Sequence, residues 1–437
     1  MLKAKNRLGL VFFPAFDWAI SPTHPEREER LLYTLDQVSE EGVEDIEGIK
    51  FFNPVLAKEE DIKRVHFCVP DVDSVVTKSH VISAGGAIAA ARALFEGKVD
   101  KAFAVVRPPG HHAHRVVYGD RGFCIINIEA IMLEHIRQSF GPKKVAIVDT
   151  DCHHGDGTQD IYWNDRNTLF ISLHQDGRTL YPGSGFPDEM GGPGAYGYTV
   201  NVPLPPQTGE EGFLYVIENL VMPIIKEYKP DLVVNSAGQD NHYTDPITNM
   251  NFTAQGYAKL TELLDPDIAV LEGGYSIEGA LPYVNLGIIL ALAGLDYSHV
   301  KEPDYDPDKM RQPGWISDYI KRLCNDIYGR WLRKEEIARK MFDGKDFVRR
   351  NKRIYYDTIG IMENQEETIK VCRSCSGYTM IKSKCDLGYF ILAIVIPPGA
   401  CPRCVEEARK IYEVADPGDY TGIYLQDRVN DEFKVKK

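Results

Sequence analysis

Short apolar runs rich in β-branched and aromatic residues punctuate the chain at 102–106, 145–148, 169–173, 231–234 and 268–271. Runs of this length without polar alternation suit strands buried on both faces of a parallel sheet. Segments of helical character lie among them at 84–94, 128–138, 212–228 and 253–264. Strands alternating with helices predict an α/β fold around a mostly parallel sheet flanked by helices. Ligands bind beyond the carboxyl ends of the strands in open sheets of this kind.

Three polar stretches follow such runs: Arg107-Pro-Pro-Gly-His111-His112, Asp149-Thr-Asp151-Cys-His153-His154-Gly-Asp156 and Ser236-Ala-Gly-Gln-Asp240-Asn-His242-Tyr-Thr-Asp245-Pro. In an extended chain Asp151 and His153 point to the same side and offer one oxygen and one nitrogen ligand. A catalytic zinc site takes three protein ligands and keeps one position open, and Asp245 in its Asp-Pro turn is the expected third. His111 and His112 fit acid and base roles, with Asp149 and Asp156 as acidic partners to fix their rings. Leu271-Glu-Gly-Gly-Tyr275 closes the last run, and paired glycines allow a sharp turn that brings a phenol donor to the same rim. Cys124 and Cys152 read as packing residues, so no covalent nucleophile is required.

With these motifs in hand, the chain resembles the histone deacetylase and acetylpolyamine amidohydrolase superfamily, of the class II-like zinc type, over roughly residues 1 to 330. Thr23-His24-Pro25-Glu26-Arg27, Arg121-Gly122-Phe123-Cys124, Ser172-Leu-His174 and Tyr181-Pro-Gly-Ser-Gly185 match further family motifs in order. The resemblance implies an arginase-deacetylase fold, zinc ligands Asp151, His153 and Asp245, and a His111–His112 pair backed by Asp149 and Asp156. It also implies Tyr275 as the group polarising the substrate carbonyl. Phe123 and Tyr181 match the aromatic walls of an acyl-lysine tunnel, with Gly122 and Phe252 nearby as substrate contacts. A potassium ion near Asp149, Asp151, His153, Ser172 and Leu173 is implied as well. The expected reaction is zinc-dependent hydrolysis that removes an acetyl or other acyl group from an acyl-lysine side chain or a related small acylated amine. One departure is a short segment between His66 and Gly85, where many relatives carry an aspartate that grips the substrate backbone; Asp71 or Asp73 is the expected substitute. Two other readings stay open: a binuclear ureohydrolase, and a catalytically weak acyl-lysine or acyl-amine binding protein.

Five of the nine cysteines fall between Cys372 and Cys404. Cys372-Arg-Ser-Cys375, 25 residues and Cys401-Pro-Arg-Cys404 read as a four-cysteine structural zinc ribbon, with Cys385 a bystander and a strand at 389–396 between the knuckles. Two disulfides would need an oxidising compartment, and no leader-like segment is read at the amino end. The domain boundary is placed near residue 340, giving a catalytic domain at 1–340 and a C-terminal domain at 341–437 that carries the ribbon (372–404). A net charge of −14 over 437 residues argues against a nucleic-acid surface, leaving a protein partner or self-contact through the ribbon. At 43% hydrophobic and 26% charged, the chain is globular in composition and has no membrane-spanning run, so the expected location is cytoplasmic.

Overall fold

Eight parallel strands make the main sheet, in the spatial order Glu47–Phe52, Lys3–Phe12, Lys101–Val105, Ile268–Val270, Leu232–Ser236, Val145–Asp149, Thr168–Gln175, Thr199–Leu204. The structure is a computed structural model that describes residues 2–13, 19–21, 23–141, 144–303, 305–308 and 310–437. Successive side chains of a strand face opposite ways, so each central strand feeds two cores. Phe103 and Val105 enter one apolar cluster while Ala102 and Ala104 enter the other, and Ala146 and Val148 part from Val145 and Ile147 in the same manner. This explains the lack of polar alternation in the runs.

Helices Lys78–Phe95 and Ile128–Phe140 cover one face, and Glu29–Glu40, Ala254–Leu264 and Leu281–Ala293 the other. Local chemistry sets their starts: Asn127 accepts the N–H of Ala130, and Thr253 accepts that of Gly256. The helical segment expected at 212–228 is present in three pieces, Glu210–Val216, a wider π-type turn Ile217–Val221, and Met222–Tyr228. Pro223 lacks the N–H that a regular turn would use there. Lys3–Phe12, Glu47–Phe52 and Thr199–Leu204 carry charges or a proline, and so escape a search for apolar runs.

Four strands stand side by side at the centre: Lys101–Val105, Ile268–Val270, Leu232–Ser236 and Val145–Asp149. The chain visits them out of order, so four loops distant in sequence leave the same edge together. Those loops carry all of the motifs with His111, Asp151, Asp240 and Tyr275.

A second sheet of six strands runs Phe347–Tyr356, Ile361–Lys370, Thr379–Cys385, Phe390–Ile396, Gly422–Asp427, Glu432–Lys436. Neighbours are antiparallel except Phe390–Ile396 with Gly422–Asp427, which are parallel and joined through helix Pro402–Val414. The ribbon cysteines are thus one end of a larger sheet than the spacing alone suggested. Cys372, Cys375, Cys401 and Cys404 hold their sulfurs within 4.8 Å of one another, Cys372 and Cys401 Sγ lie 4.0 Å apart, and all four are free thiols. Zn–S bonds of about 2.3 Å in a tetrahedron place sulfurs about 3.8 Å apart. The sulfur cluster therefore fits a metal. Cys385 packs elsewhere, against Ile381 and Tyr424.

The second sheet rests on the first unit through a shared apolar cluster, in which Phe67 and Val116 join Ile354, Ile391 and Tyr424, and through polar contacts. Tyr118 Oη and Ser383 Oγ are 2.8 Å apart, Arg428 pairs with Glu134 at 2.7 Å, and Arg64 with Asp431 at 2.8 Å. Arg350 and Lys352 both reach buried Asp160. Among the described residues no helix is long and apolar enough to cross a membrane.

Metal at the four cysteines would tie the loop after Ile361–Lys370 to the start of helix Pro402–Val414. Cys401→Ser is expected to cost one zinc per chain by elemental analysis and to lower the thermal midpoint of unfolding by several degrees. An unchanged metal content would remove this site.

Candidate active site

The strand Val145–Asp149 ends in a turn that folds back on its own carboxylates. Asp149 Oδ1 accepts the N–H of Asp151 at 3.0 Å, and Asp151 Oδ1 accepts that of His153 at 2.8 Å. These bonds set the direction of the Asp151 and His153 side chains. Asp240 enters from the neighbouring loop, its Oδ1 accepting the Cys152 N–H at 2.7 Å and its Oδ2 lying 2.8 Å from His153 Nδ1. Asp151, His153 and Asp240 each offer a ligand atom within 4.8 Å of the others, and all three are buried.

This donor set fits a divalent cation. Two carboxylates and an imidazole converge, and burial together with the Asp151 charge pushes the Asp240 carboxyl above the usual range. Burial and then the Asp240 charge raise the Asp245 carboxyl to about 7. A cation relieves that repulsion. The backbone is shaped for crowding too: a β-carbon at Gly273 would lie 2.6 Å from Asp151 Oδ2 and 2.6 Å from Asp240 Oδ2.

Asp245, the third ligand expected from the sequence, stands outside this compact trio. Its Oδ1 accepts the Ile247 N–H at 3.0 Å and its Oδ2 the Tyr275 N–H at 2.8 Å, which ties it to the tyrosine loop. Asp240 is the residue that sequence reasoning missed. It stands in the stretch 236–246, where nothing in the spacing separates a turn aspartate from a ligand.

The adjacent histidines each find their own carboxylate. His111 Nδ1 is 3.1 Å from Asp149 Oδ2, and His112 Nδ1 is 2.9 Å from Asp156 Oδ1. Their surroundings push them apart. Burial, reinforced by the neighbouring His111, takes His112 down to about 3, so its ring is neutral. Burial also opposes a charge on His111, yet Asp151 and Asp149 hold it well above the ordinary imidazole value. His111 Nε2 lies 3.6 Å from Asp151 Oδ1, on the side of the donor set. Glu272, read in the sequence only as a flank, accepts the N–H groups of Gly110 and His111 at 2.7 and 3.0 Å and so fixes the histidine loop.

Tyr275 is buried under Arg30, whose guanidinium carbon sits 4.9 Å from its ring centre. Arg30 is anchored by Glu26 and donates to the Glu272 and Gly274 carbonyls. Burial raises the Tyr275 phenol well above its ordinary value, so it remains a donor. Phe123 meets Tyr275 edge to face at 5.5 Å, and His112 meets Tyr181 likewise at 5.1 Å. Of the two aromatic residues expected as tunnel walls, Phe123 therefore stands beside Tyr275 and Tyr181 beside His112. Gly122 presses against His112, where a β-carbon would lie 2.6 Å from the ring Cδ2.

Phe252 is a correction. It is fully buried between Phe213 and Tyr257, with ring centroids 4.7 and 4.6 Å away, and is a core residue rather than a substrate contact. Its apolar character follows from that packing. Asp71 caps a short helix by accepting from Ser74 and lies 3.8 Å from Lys437, while Asp73 is exposed on the same turn. Asp71 thus faces the second sheet, not Phe123 and Tyr181. Ser172 Oγ is bonded to His174 Nδ1 at 2.9 Å.

With this geometry described, similarity to known proteins can be placed on it. Residues 70–285 match the histone deacetylase domain family. The chain is 46% identical over 311 residues to a probable deacetylase of Archaeoglobus fulgidus, covering 65% of this chain and 85% of that protein. It is 34% identical over 241 residues to a histone deacetylase-like amidohydrolase of Pseudomonas aeruginosa, covering 53% of this chain and 62% of the relative. The crystal structure of the HDA15 HD domain superposes with a TM-score of 0.65 at 28% identity, covering 78% of this chain and 99% of that one. The eight-stranded parallel sheet and the sequence match agree, and the chain belongs to the histone deacetylase family.

Proposed function

We propose that the protein is a zinc-dependent amidohydrolase that removes an acetyl or other short acyl group from an acyl-lysine side chain or a related acylated amine. The observation that carries this reading is the histidine pair beside the donor set, each ring fixed by its own carboxylate so that the two can take different parts. A hydrolase that uses water as its nucleophile needs such a division of labour.

Asp151, His153 and Asp240 would hold the ion. Asp245 accepts the Tyr275 N–H and would steady the tyrosine loop beside it. When bound, zinc supplies Lewis acidity and makes hydroxide accessible near pH 7. The protein's own groups do the rest. Tyr275 donates its O–H to the acyl oxygen as negative charge develops there. His112 keeps its Nδ1 proton on Asp156, leaving Nε2 free to take a proton from the attacking water. The oxyanion forming beside the ring then favours its charged form. His111 contributes a fixed positive charge. As the C–N bond breaks, His112 returns the proton to the amine nitrogen, and the products are a carboxylic acid and a free amine. Phe123 and Tyr181 flank an aliphatic chain and exclude water from it.

Turnover of acetyl-lysine peptides, free acetyl-lysine, acetylpolyamines and longer acyl-lysines, followed by amine release, tests the activity. Tyr275→Phe should lower kcat about 10²- to 10³-fold on whichever of these is the best substrate, with little change in KM. Full activity in Tyr275→Phe would take the oxyanion role away from this residue. For the metal, dialysis against a chelator should abolish turnover and added zinc restore it. Asp240→Asn is expected to lower bound zinc from two ions per chain to one. Two ions in Asp240→Asn with one in Asp245→Asn would instead assign the third ligand to Asp245.

A further inference from the structure

The second sheet reaches the mouth of the site through one hairpin turn. Strands Phe347–Tyr356 and Ile361–Lys370 are joined by residues 357–360, and Asp357 at its start is exposed. Asp357 Oδ1 accepts the N–H of Gly122 at 2.9 Å and the O–H of Tyr181 at 3.2 Å. One carboxylate oxygen therefore ties Gly122 and Tyr181 together. Gly122 and Phe123 take left-handed backbone angles, φ +55 and +66, which are strained for phenylalanine. The Asp357 bond and the paired bonds between Arg121 and Cys124 keep that turn closed.

The hairpin is fastened on either side of Asp357. Thr358 Oγ1 donates to Asp120 at 3.1 Å, and Tyr356 O–H to the Val116 carbonyl at 3.2 Å. So many attachments fix the turn in place over the segment that leads to Phe123. The second oxygen of Asp357, Oδ2, has no hydrogen-bond partner among the described residues. The guanidinium of Arg121, next to Gly122, is spent on Asp156 through two bonds of 2.9 and 2.6 Å. An anchored, exposed carboxylate oxygen beside Phe123 and Tyr181 is open to an N–H donor.

We propose that Asp357, supplied by the appended sheet, is a specificity residue whose free oxygen binds an N–H group on the carrier of the acyl group, an amide N–H or an ammonium. This rests on the deacetylase reading given above. It gives the C-terminal part of the chain a share in substrate choice, besides its four-cysteine site.

Three substrates with the same five-carbon chain separate the possibilities. Nε-acetyl-lysine capped at both ends offers an amide N–H after the fifth carbon, N-acetylcadaverine an ammonium there, and N-pentylacetamide neither. Selectivity is the ratio of kcat/KM on a nitrogen-bearing substrate to that on N-pentylacetamide. The full chain should favour one or both nitrogen-bearing substrates. Asp357→Asn keeps an acceptor for Gly122 and Tyr181 but loses the charge, and should reduce that ratio about tenfold, chiefly through KM. Asp357→Ala should reduce it at least as far, with circular dichroism and the unfolding midpoint verifying that each variant is folded. The substrate whose ratio falls most identifies amide or ammonium as the donor. A ratio kept within twofold in both variants, whether the rates fall together or stay as they were, overturns the proposal and leaves the deacetylase reading intact. No turnover of any substrate by the unaltered protein overturns both.

Discussion

Buried negative charge is the constraint on which the site depends. Asp149, Asp151, Asp240 and Glu272 are wholly enclosed, with Asp245 close behind, at the carboxyl edge of four neighbouring strands. An uncompensated carboxylate in such a place costs several kcal/mol, by rough estimate. The fold answers with three kinds of partner. Backbone N–H groups take up Asp149, Asp151, Asp240, Asp245 and Glu272 oxygens. Imidazoles of His111 and His153 take up others, and the remaining repulsion between Asp151, Asp240 and Asp245 is what a divalent cation would satisfy.

The same charges differentiate the two catalytic candidates. His111 and His112 are adjacent in the chain, with centroids 4.1 Å apart, and would titrate alike in water. Asp151 lies 3.6 Å from His111 Nε2, while Asp156 divides its charge among His112, His114 and Arg121. One imidazole is held charged and the other neutral. The chemistry follows from which carboxylate each ring meets, and from how many cations that carboxylate already serves.

The appended sheet belongs to this electrostatic arrangement and is more than a carrier of cysteines. Its Arg350 and Lys352 neutralise buried Asp160, which itself lies beside His114. Its Arg428 neutralises buried Glu134. Without it those two carboxylates would keep only partners of the first unit, such as Arg137 for Glu134 and His114 for Asp160. Asp357 extends the same surface to the mouth of the site.

Much of this was legible in the sequence for a definite reason. Strands buried on both faces must be apolar throughout, so 102–106, 145–148, 169–173, 231–234 and 268–271 declared themselves. Asp151 and His153 are two residues apart on one stretch, and His111 and His112 are adjacent, so local geometry already joined them. The four cysteines came as two close pairs. Tertiary structure alone decided the rest. Strands such as Lys3–Phe12 and Thr199–Leu204 owe their place to neighbours rather than to their own pattern. Phe252 looked like a rim residue and is core, because its loop turns inward against Phe213. Asp240 joins Asp151 across 89 residues, and Asp357 joins Gly122 across 235, through crossovers and sheet docking that no local spacing encodes. Sequence determines which groups are available over a few residues; only the packed chain brings distant ones within the few ångströms at which charge and hydrogen bonding act.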